Sequence, residues 1–220
     1  MRDSNGVARP ITVIAFDANG VPTTGNLKVF ITDTFKFARV TANNFVIGDS
    51  LGQTRLVGQV DGLQTQVTNI FVTLAPAKIE RTNATLDDTL RPPLGGDSAS
   101  TVATKVLSVR LLSENDSASQ GMIVRYRIVN APAPRNALQP AAFITSGGKL
   151  SSVDTTDQSG AASRDVTVIA NFIADGEVRA GTKIDSVVVE VSAKYKGLPV
   201  PGSPLTISLP IRAGSSPATP

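Results

Sequence analysis

The sequence predicts an all-β fold of two tandem antiparallel sandwiches, and three observations predict it. Apolar residues recur at every second position, most plainly where Val187, Val189, Val191, Ala193 and Tyr195 alternate with Val188, Glu190, Ser192 and Lys194. That is the period of a strand with one buried face. The runs are short and are separated by turn residues such as Asp17-Ala18-Asn19-Gly20 and Asp61-Gly62, Asn-Gly being the strongest short hairpin signal. The hydrophobic content is 41% with only 5% aromatic and no Trp, so the core is aliphatic, and branched side chains suit a pleated surface.

In chain order, residues 1–9 read as a loose polar arm. Residues 10–16 follow as a strand with apolar side chains on both faces, Ile11, Val13 and Ala15 against Ile14 and Phe16, which predicts a buried central position. After the Asn19-Gly20 turn comes a strand at 26–32. Phe35, Phe37, Val40 and residues 45–47 read as short edge strands, and 48–53 as a turn. Strands at 54–60 and 67–74 flank a turn at Asp61-Gly62-Leu63, and Ala75-Pro76 closes the module, because Pro cannot donate into a ladder.

Residues 77–100 have linker composition, with Pro92, Pro93, Gly95 and Gly96 breaking regular structure and a first strand of the second module expected at 85–90. The second module then runs through strands at 104–112, 122–129, 143–144, 161–170, 185–195 and 205–211. In the 122–129 strand Met122, Val124, Tyr126 and Ile128 point inward while Arg125 and Arg127 face out. The proline-rich run 130–140 is a semi-extended loop, 171–182 is a second loop around Asp175-Gly176, and the tail frays. The expected organisation is a first domain at 1–76, a linker at 77–100, a second domain at 101–213 and a flexible tail at 214–220.

Two internal comparisons support tandem modules. VGQVDGLQTQVTNIFVTLAP in the first half matches VSAKYKGLPVPGSPLTISLP in the second as strand, Gly-Leu turn, strand and proline. The stretch VDTTDQSGAASRDVTVIA reads as two antiparallel strands joined by a turn at Asp157, Ser159 and Gly160, and Gly48-Asp49-Ser50-Leu51-Gly52-Gln53 reads as its degenerate copy. The first of these stretches resembles the T-D-x-x-G-x-A-x-x-x-V-T pattern of bacterial immunoglobulin-like modules of the invasin and intimin type, found in surface and envelope proteins. The resemblance implies two immunoglobulin-like antiparallel β-sandwiches, and it implies no chemistry.

The two modules differ at one place. Residues before 101 can supply an opening strand to the second module, whereas only nine residues precede the strand expected at Pro10. The first sandwich is therefore expected to lack an edge strand, which exposes N–H and C=O groups that invite a strand from a partner. The alternatives are that residues 1–9 form that strand or that the numbered start is a truncation.

The absence of Cys and His removes thiol nucleophiles, disulfides, Cys/His zinc sites and Ser-His-Asp relays. The turn acids Asp17, Asp49, Asp154 and Asp157 do not sit in a D-x-[DN]-x-[DN]-G loop, and turn stabilisation is their expected role over Ca²⁺ binding. Asp87-Asp88 and Glu114 with Asp116 read as solvated loop acids, Tyr126 and Tyr195 as core, and Gly95-Gly96 and Gly147-Gly148 as turns. A serine nucleophile would need Lys as its base, and neither a nearby S-x-x-K pairing nor a G-x-S-x-G elbow is expected; surface strand positions account for the hydroxyls. No catalytic, cofactor or metal residues are expected.

The 21 basic and 18 acidic residues give a net charge of +3, and the basic ones are dispersed singly, which argues against nucleic acid. There is no spanning apolar run and no apolar stretch of a secretory signal in MRDSNGVARP. The functional expectation is a non-catalytic, extracytoplasmic accessory subunit, periplasmic or at the cell surface, that stabilises a larger envelope or membrane-associated assembly through sheet edges and loops. A removed signal or another route would account for export, and a cytoplasmic protein is the third option. A self-associating filament or adhesin subunit and a carbohydrate-binding module are the competing readings.

Overall fold

The computed structural model describes residues 6–23, 25–82, 87–93, 102–135, 138–144, 148–173 and 183–212 of the chain. Its regular elements are strands, apart from one three-residue 3-10 turn at Ala170–Phe172. The fold is all-β, built from several antiparallel sheets. The chain divides into two compact units, residues 1–75 with 195–198, and residues 76–194 with 199–220.

In the first unit the strands are β1 (Ala15–Phe16), β2 (Pro22–Thr23), β3 (Leu27–Ile31), β4 (Ala38–Val40), β5 (Val46–Gly48), β6 (Gly52–Val60), β7 (Leu63–Gln64) and β8 (Thr68–Val72). The long strand β6 is central, with β3 on one side and β7 and β8 on the other, while β1 pairs β2 and β4 pairs β5. Ala38, Leu56, Val57 and Val60 are buried together with Thr54. Thr54 is buried with its hydroxyl donating to Asp33 at 2.9 Å, and Asp33 also accepts from the Arg55 backbone at 2.5 Å and from Arg55 Nε at 2.6 Å. The Arg55 guanidinium holds the Asp33 carboxyl below the usual carboxylate range.

The strand expected at 10–16 is not a buried central strand. Only Ala15–Phe16 enters a ladder, against Pro22–Thr23, while Ile11 N–H donates singly to Asn44 O at 2.8 Å. Ile14 and Phe16 stay 58% and 59% exposed. The segment is anchored by side-chain insertion instead: Val13 occupies the space a Cβ on Gly58 of β6 would need, 2.5 Å from Val13 Cγ2. Apolar residues on both faces signal burial only when a strand lies on either side.

The second unit, apart from residues 195–198 at the turn between β15 and β16, contains β9 (Lys78–Arg81), β10 (Val102–Leu112), β11 (Ile123–Asn130), β12 (Ala142–Phe143), β13 (Ser151–Thr155), β14 (Ala161–Ile169), β15 (Lys183–Tyr195), β16 (Leu198–Pro199) and β17 (Leu205–Arg212). One sheet has the order β12-β14-β10-β9; the other runs β13-β11-β15, with β16 and β17 both beside β15. Leu107, Val109, Leu111, Ala162, Val166 and Val168 of the first sheet and Val124, Tyr126, Val187, Val189, Val191 and Leu209 of the second form the core. Tyr126 is 1% exposed, and its hydroxyl donates to Ala162 O at 2.8 Å, joining β11 of one sheet to β14 of the other. Burial raises the Tyr126 pKa and keeps that proton in place. As expected from the alternation, Val124, Tyr126 and Ile128 are buried while Arg125 and Arg127 are exposed; Met122, expected inward with them, precedes the strand and is half-buried.

Two details differ from the expected layout. The first strand described in this unit is Lys78–Arg81; Ile79 is its buried residue. Of the strand expected at 85–90, residues 85 and 86 lie outside the described residues, and Leu90 makes an isolated parallel bridge to Ile211. A four-residue strand carries too little alternation to stand out from a linker. The strands β13 and β14 do not pair with each other either. Strand β13 joins β11 and β14 joins β10, so the turn at 157–160 is an arch from one sheet to the other. Asp157 Oδ1 accepts from Ser159 N–H at 2.8 Å, Ser159 Oγ at 2.7 Å and Ala161 N–H at 3.0 Å, and these bonds, the Ser159 hydroxyl first, hold its carboxyl below the usual range. The loop at 174–182 and the tail at 213–220 lie outside the described residues.

The segments matched by pattern adopt the same hairpin. Asp61 (φ 46°) and Gly62 (φ 90°) turn β6 into β7, as Lys196 (φ 53°) and Gly197 (φ 83°) turn β15 into β16. In each, the return strand breaks after two residues and resumes further along the same central strand as β8 or β17.

Gly160 has φ +76°, and a Cβ there would fall 2.5 Å from Leu111 O; Gly121, in the same unit, has φ +75° and open space. Gly121→Ala is expected to cost about 1 kcal/mol from backbone strain alone. Gly160→Ala adds a backbone clash and is expected to cost roughly 2–4 kcal/mol. Urea unfolding of the two variants checks the order, and equal losses would show that the arch yields freely.

Candidate protein interface at the sheet edges

A strand at the edge of a sheet directs every second residue's N–H and C=O away from its neighbour, and those groups need water, a cover or a partner. The second unit covers its edges. Beside β17, Leu90 N–H donates to Pro210 O at 2.8 Å and Arg212 N–H donates to Leu90 O at 2.9 Å, so the segment at Leu90 lies along that edge in parallel, with its side chain 1% exposed. The segment is fastened by Arg81, which pairs through both guanidinium nitrogens with Asp88, and by Asp87, whose Oδ1 accepts Thr89 N–H at 2.9 Å. At β9, Ile79 N–H donates to Pro201 O at 3.1 Å.

Strand β13 is closed by side chains. Ile128 N–H donates to Leu150 O, which sets 150, 152 and 154 facing β11 and turns 151, 153 and 155 to the free edge. There, Arg164 of β14 donates to Val153 O and, at 3.0 Å, to Ser152 Oγ, and pairs with Asp154 at 2.9 Å. Asp154 Oδ1 in turn accepts the outward Thr155 N–H at 2.9 Å. Arg164 shares the inward face of β14 with buried Ala162 and Val166, which is why it reaches the opposite sheet. The remaining edge strands, β12 and β16, are each only two residues long, a length that offers little to pair with.

The first unit has no such covers among the described residues. Thr32 N–H donates to Arg55 O at 3.0 Å, and Thr65 N–H to Gly58 O at 2.8 Å, so odd-numbered β6 residues face β3 and even-numbered ones face β7 and β8. With Thr54 opposite Ile70 and Leu56 opposite Thr68, residues 68, 70 and 72 of β8 bond inward, and Asn69 and Phe71 turn their N–H and C=O outward. No strand lies beyond them, or beyond Leu27, Val29 and Ile31 of β3, among the described residues. Among the described residues, ten of the seventeen large hydrophobic residues that are exposed lie between Val7 and Phe71, Phe71 itself at 59%.

The acids weighed as ligands are spent on local structure. Asp17 caps its own turn, Asp49 pairs with Arg39 at 2.6 Å, Asp154 and Asp157 act as above, and Asp116 pairs with Lys78 at 2.7 Å. Among the described residues no three of His, Cys, Asp and Glu gather where a metal could bind. Tyr126 is core, whereas Tyr195 is half-buried beneath Lys196, whose Nζ lies 5.5 Å from the ring centre. Gly95, Gly96 and Gly147 lie outside the described residues.

The expectation that neither catalytic serine spacing occurs is corrected by two strings in the chain. Gly48-Asp49-Ser50-Leu51-Gly52 has the G-x-S-x-G spacing, and Ser146-Gly147-Gly148-Lys149 the S-x-x-K spacing. A nucleophile elbow needs a strand-to-helix turn. Ser50 instead lies in the strand-to-strand link from β5 to β6, exposed, with its N–H donating to Phe37 O at 3.1 Å. Ser146 lies outside the described residues.

No protein-family model matches the chain, and no curated protein matches it. Among solved structures it is similar to domains 4 and 5 of the S-layer protein SbsC, at 13% identity over 92% of this chain and 80% of that one, with TM-score 0.29. It is also similar to the adhesin InvE of Yersinia pseudotuberculosis, at 16% identity over 96% of this chain and 51% of that one, with TM-score 0.40. A third is a PapD-like domain of human CEP192, at 11% identity over 70% of this chain and 96% of that one, with TM-score 0.33.

Removing an edge cover should create an edge. Arg164→Ala frees the Val153 carbonyl and unpairs Asp154, and is expected to make the protein self-associate on mild warming while the native variant stays clear. Light scattering at matched concentrations checks this, and indistinguishable traces would show that Arg164 does not guard the edge.

Proposed function

We propose that the protein is a non-catalytic interaction module, an extracytoplasmic accessory subunit that binds within a larger envelope or membrane-associated assembly. The observation that carries this reading is the contrast between units: the second covers its sheet edges, and the first leaves Asn69 and Phe71 of β8 facing outward beside exposed apolar side chains. Strand addition to an open edge supplies affinity through main-chain hydrogen bonds and specificity through alternate side chains. The first unit is then the docking unit. The second is closed by its Tyr126 bond and Arg81–Asp88 clasp.

The extracytoplasmic setting is supported by the resemblance of the stretch around Asp154–Thr167 to modules of bacterial surface proteins. No helix among the described residues is long and apolar enough to cross a membrane. Attachment through protein contacts is part of this reading. Gentle extraction from the native cell, followed by sizing and identification of co-migrating chains, is expected to place the protein in a species larger than its 22.9 kDa mass, together with defined envelope proteins. Migration alone as a monomer would contradict the proposal.

A further inference from the structure

We infer that the first unit binds the first unit of a second copy of this chain, β8 against β8, antiparallel about a two-fold axis beside Ile70. The inference deepens the interaction-module reading and rests on it, since it names the occupant of the same edge.

Three features select β8 and a copy of itself. The outward residues are Asn69 and Phe71, two positions apart, and a two-fold axis midway between them sets Asn69 of one copy opposite Phe71 of the other. Each such pair exchanges both N–H···O=C bonds, so the register closes all four outward groups of each strand while Ile70 faces Ile70 across the axis. Residues 62–77 contain no Asp, Glu, Lys or Arg. A two-fold axis sets like charges near each other, and this edge has none to repel, whereas β3 carries exposed Lys28. Finally, Phe71 is 59% exposed and shares a face with Gln53, its partner on β6. Pairing lays its ring over Asn69 of the other copy and covers apolar surface that the isolated unit leaves wet.

The fold already shows that such a strand can be extended. Strand β17, the counterpart of β8 in the matched hairpin, carries the Leu90 segment along its outer edge. One five-residue edge buries less than a standard stable interface, which makes the self-association weak and concentration-dependent.

Sedimentation of the purified full chain over a broad concentration range tests the pairing. The average mass is expected to climb from 22.9 kDa toward twice that value as concentration rises. The double variant Asn69→Lys with Phe71→Lys places four like charges along the joint and is expected to weaken the dimer at least about tenfold. The double variant Asn69→Lys with Phe71→Glu sets Lys opposite Glu twice in this register and is expected to restore it. Both positions are exposed and bond outward, so neither variant removes a bond within the unit. A chain that stays monomeric throughout, a dimer indifferent to the two lysines, or a lysine–glutamate variant that fails to recover would each overturn the pairing. A monomer in sedimentation that is nonetheless held in the native assembly would overturn this inference alone and leave the proposed function standing.

Discussion

The polar groups on the rim of a β-sheet cannot be left dry and unpaired, and the organisation of this protein follows from how each unit meets that constraint. In the second unit the chain crosses from one sheet to the other to meet it: Lys78–Arg81 pairs with β10, and Leu90 then lies along β17. The Arg81–Asp88 pair joins the two ends of that crossing. Arg164 and Asp154 do the same work at β13 with side chains where backbone is lacking. In the first unit the central β6 is flanked by β3 and β8 with no further strand among the described residues. Function, on this account, is the part of the constraint the chain leaves for another molecule to satisfy.

The two units also divide stability differently. The second has a continuous aliphatic core closed by the Tyr126–Ala162 bond, so its sheets cannot slide without leaving a buried carbonyl and hydroxyl unpaired. The first buries few large side chains and relies on polar fastening, with Asp33 binding Thr54 and Arg55 and Val13 filling the space above Gly58. A thinly packed unit with an uncovered edge gains more from a partner than a well-packed one does.

Much of this was legible in the sequence where local physics decides structure. Period-2 alternation located β3, β6, β10, β11, β15 and β17, and the Asp-Gly and Lys-Gly turns located both matched hairpins, because alternation and positive φ are properties of a few neighbouring residues. What was not legible depends on distant partners. Residues 10–16 look like a strand, yet only Ala15–Phe16 pairs, since nothing in that stretch reports the absence of a neighbour. Asp157 to Gly160 look like a hairpin turn, yet the arch is set by the Gly160 backbone packing on Leu111. Arg164 sits in an alternating run as if it belonged to the core face, and only the position of β13 explains it. The same limit applies to Ser50, whose G-x-S-x-G spacing loses its meaning once the link is seen to join two strands.

Residue-resolved amide hydrogen exchange on dilute, monomeric protein tests the central claim most directly. If the first unit leaves β8 open while the second closes its edges, Asn69 and Phe71 exchange fast between the slower Thr68, Ile70 and Val72, and Leu90 and Arg212 are protected. Uniform protection from 68 to 72 in the monomer, or fast exchange at Leu90 and Arg212, would contradict it.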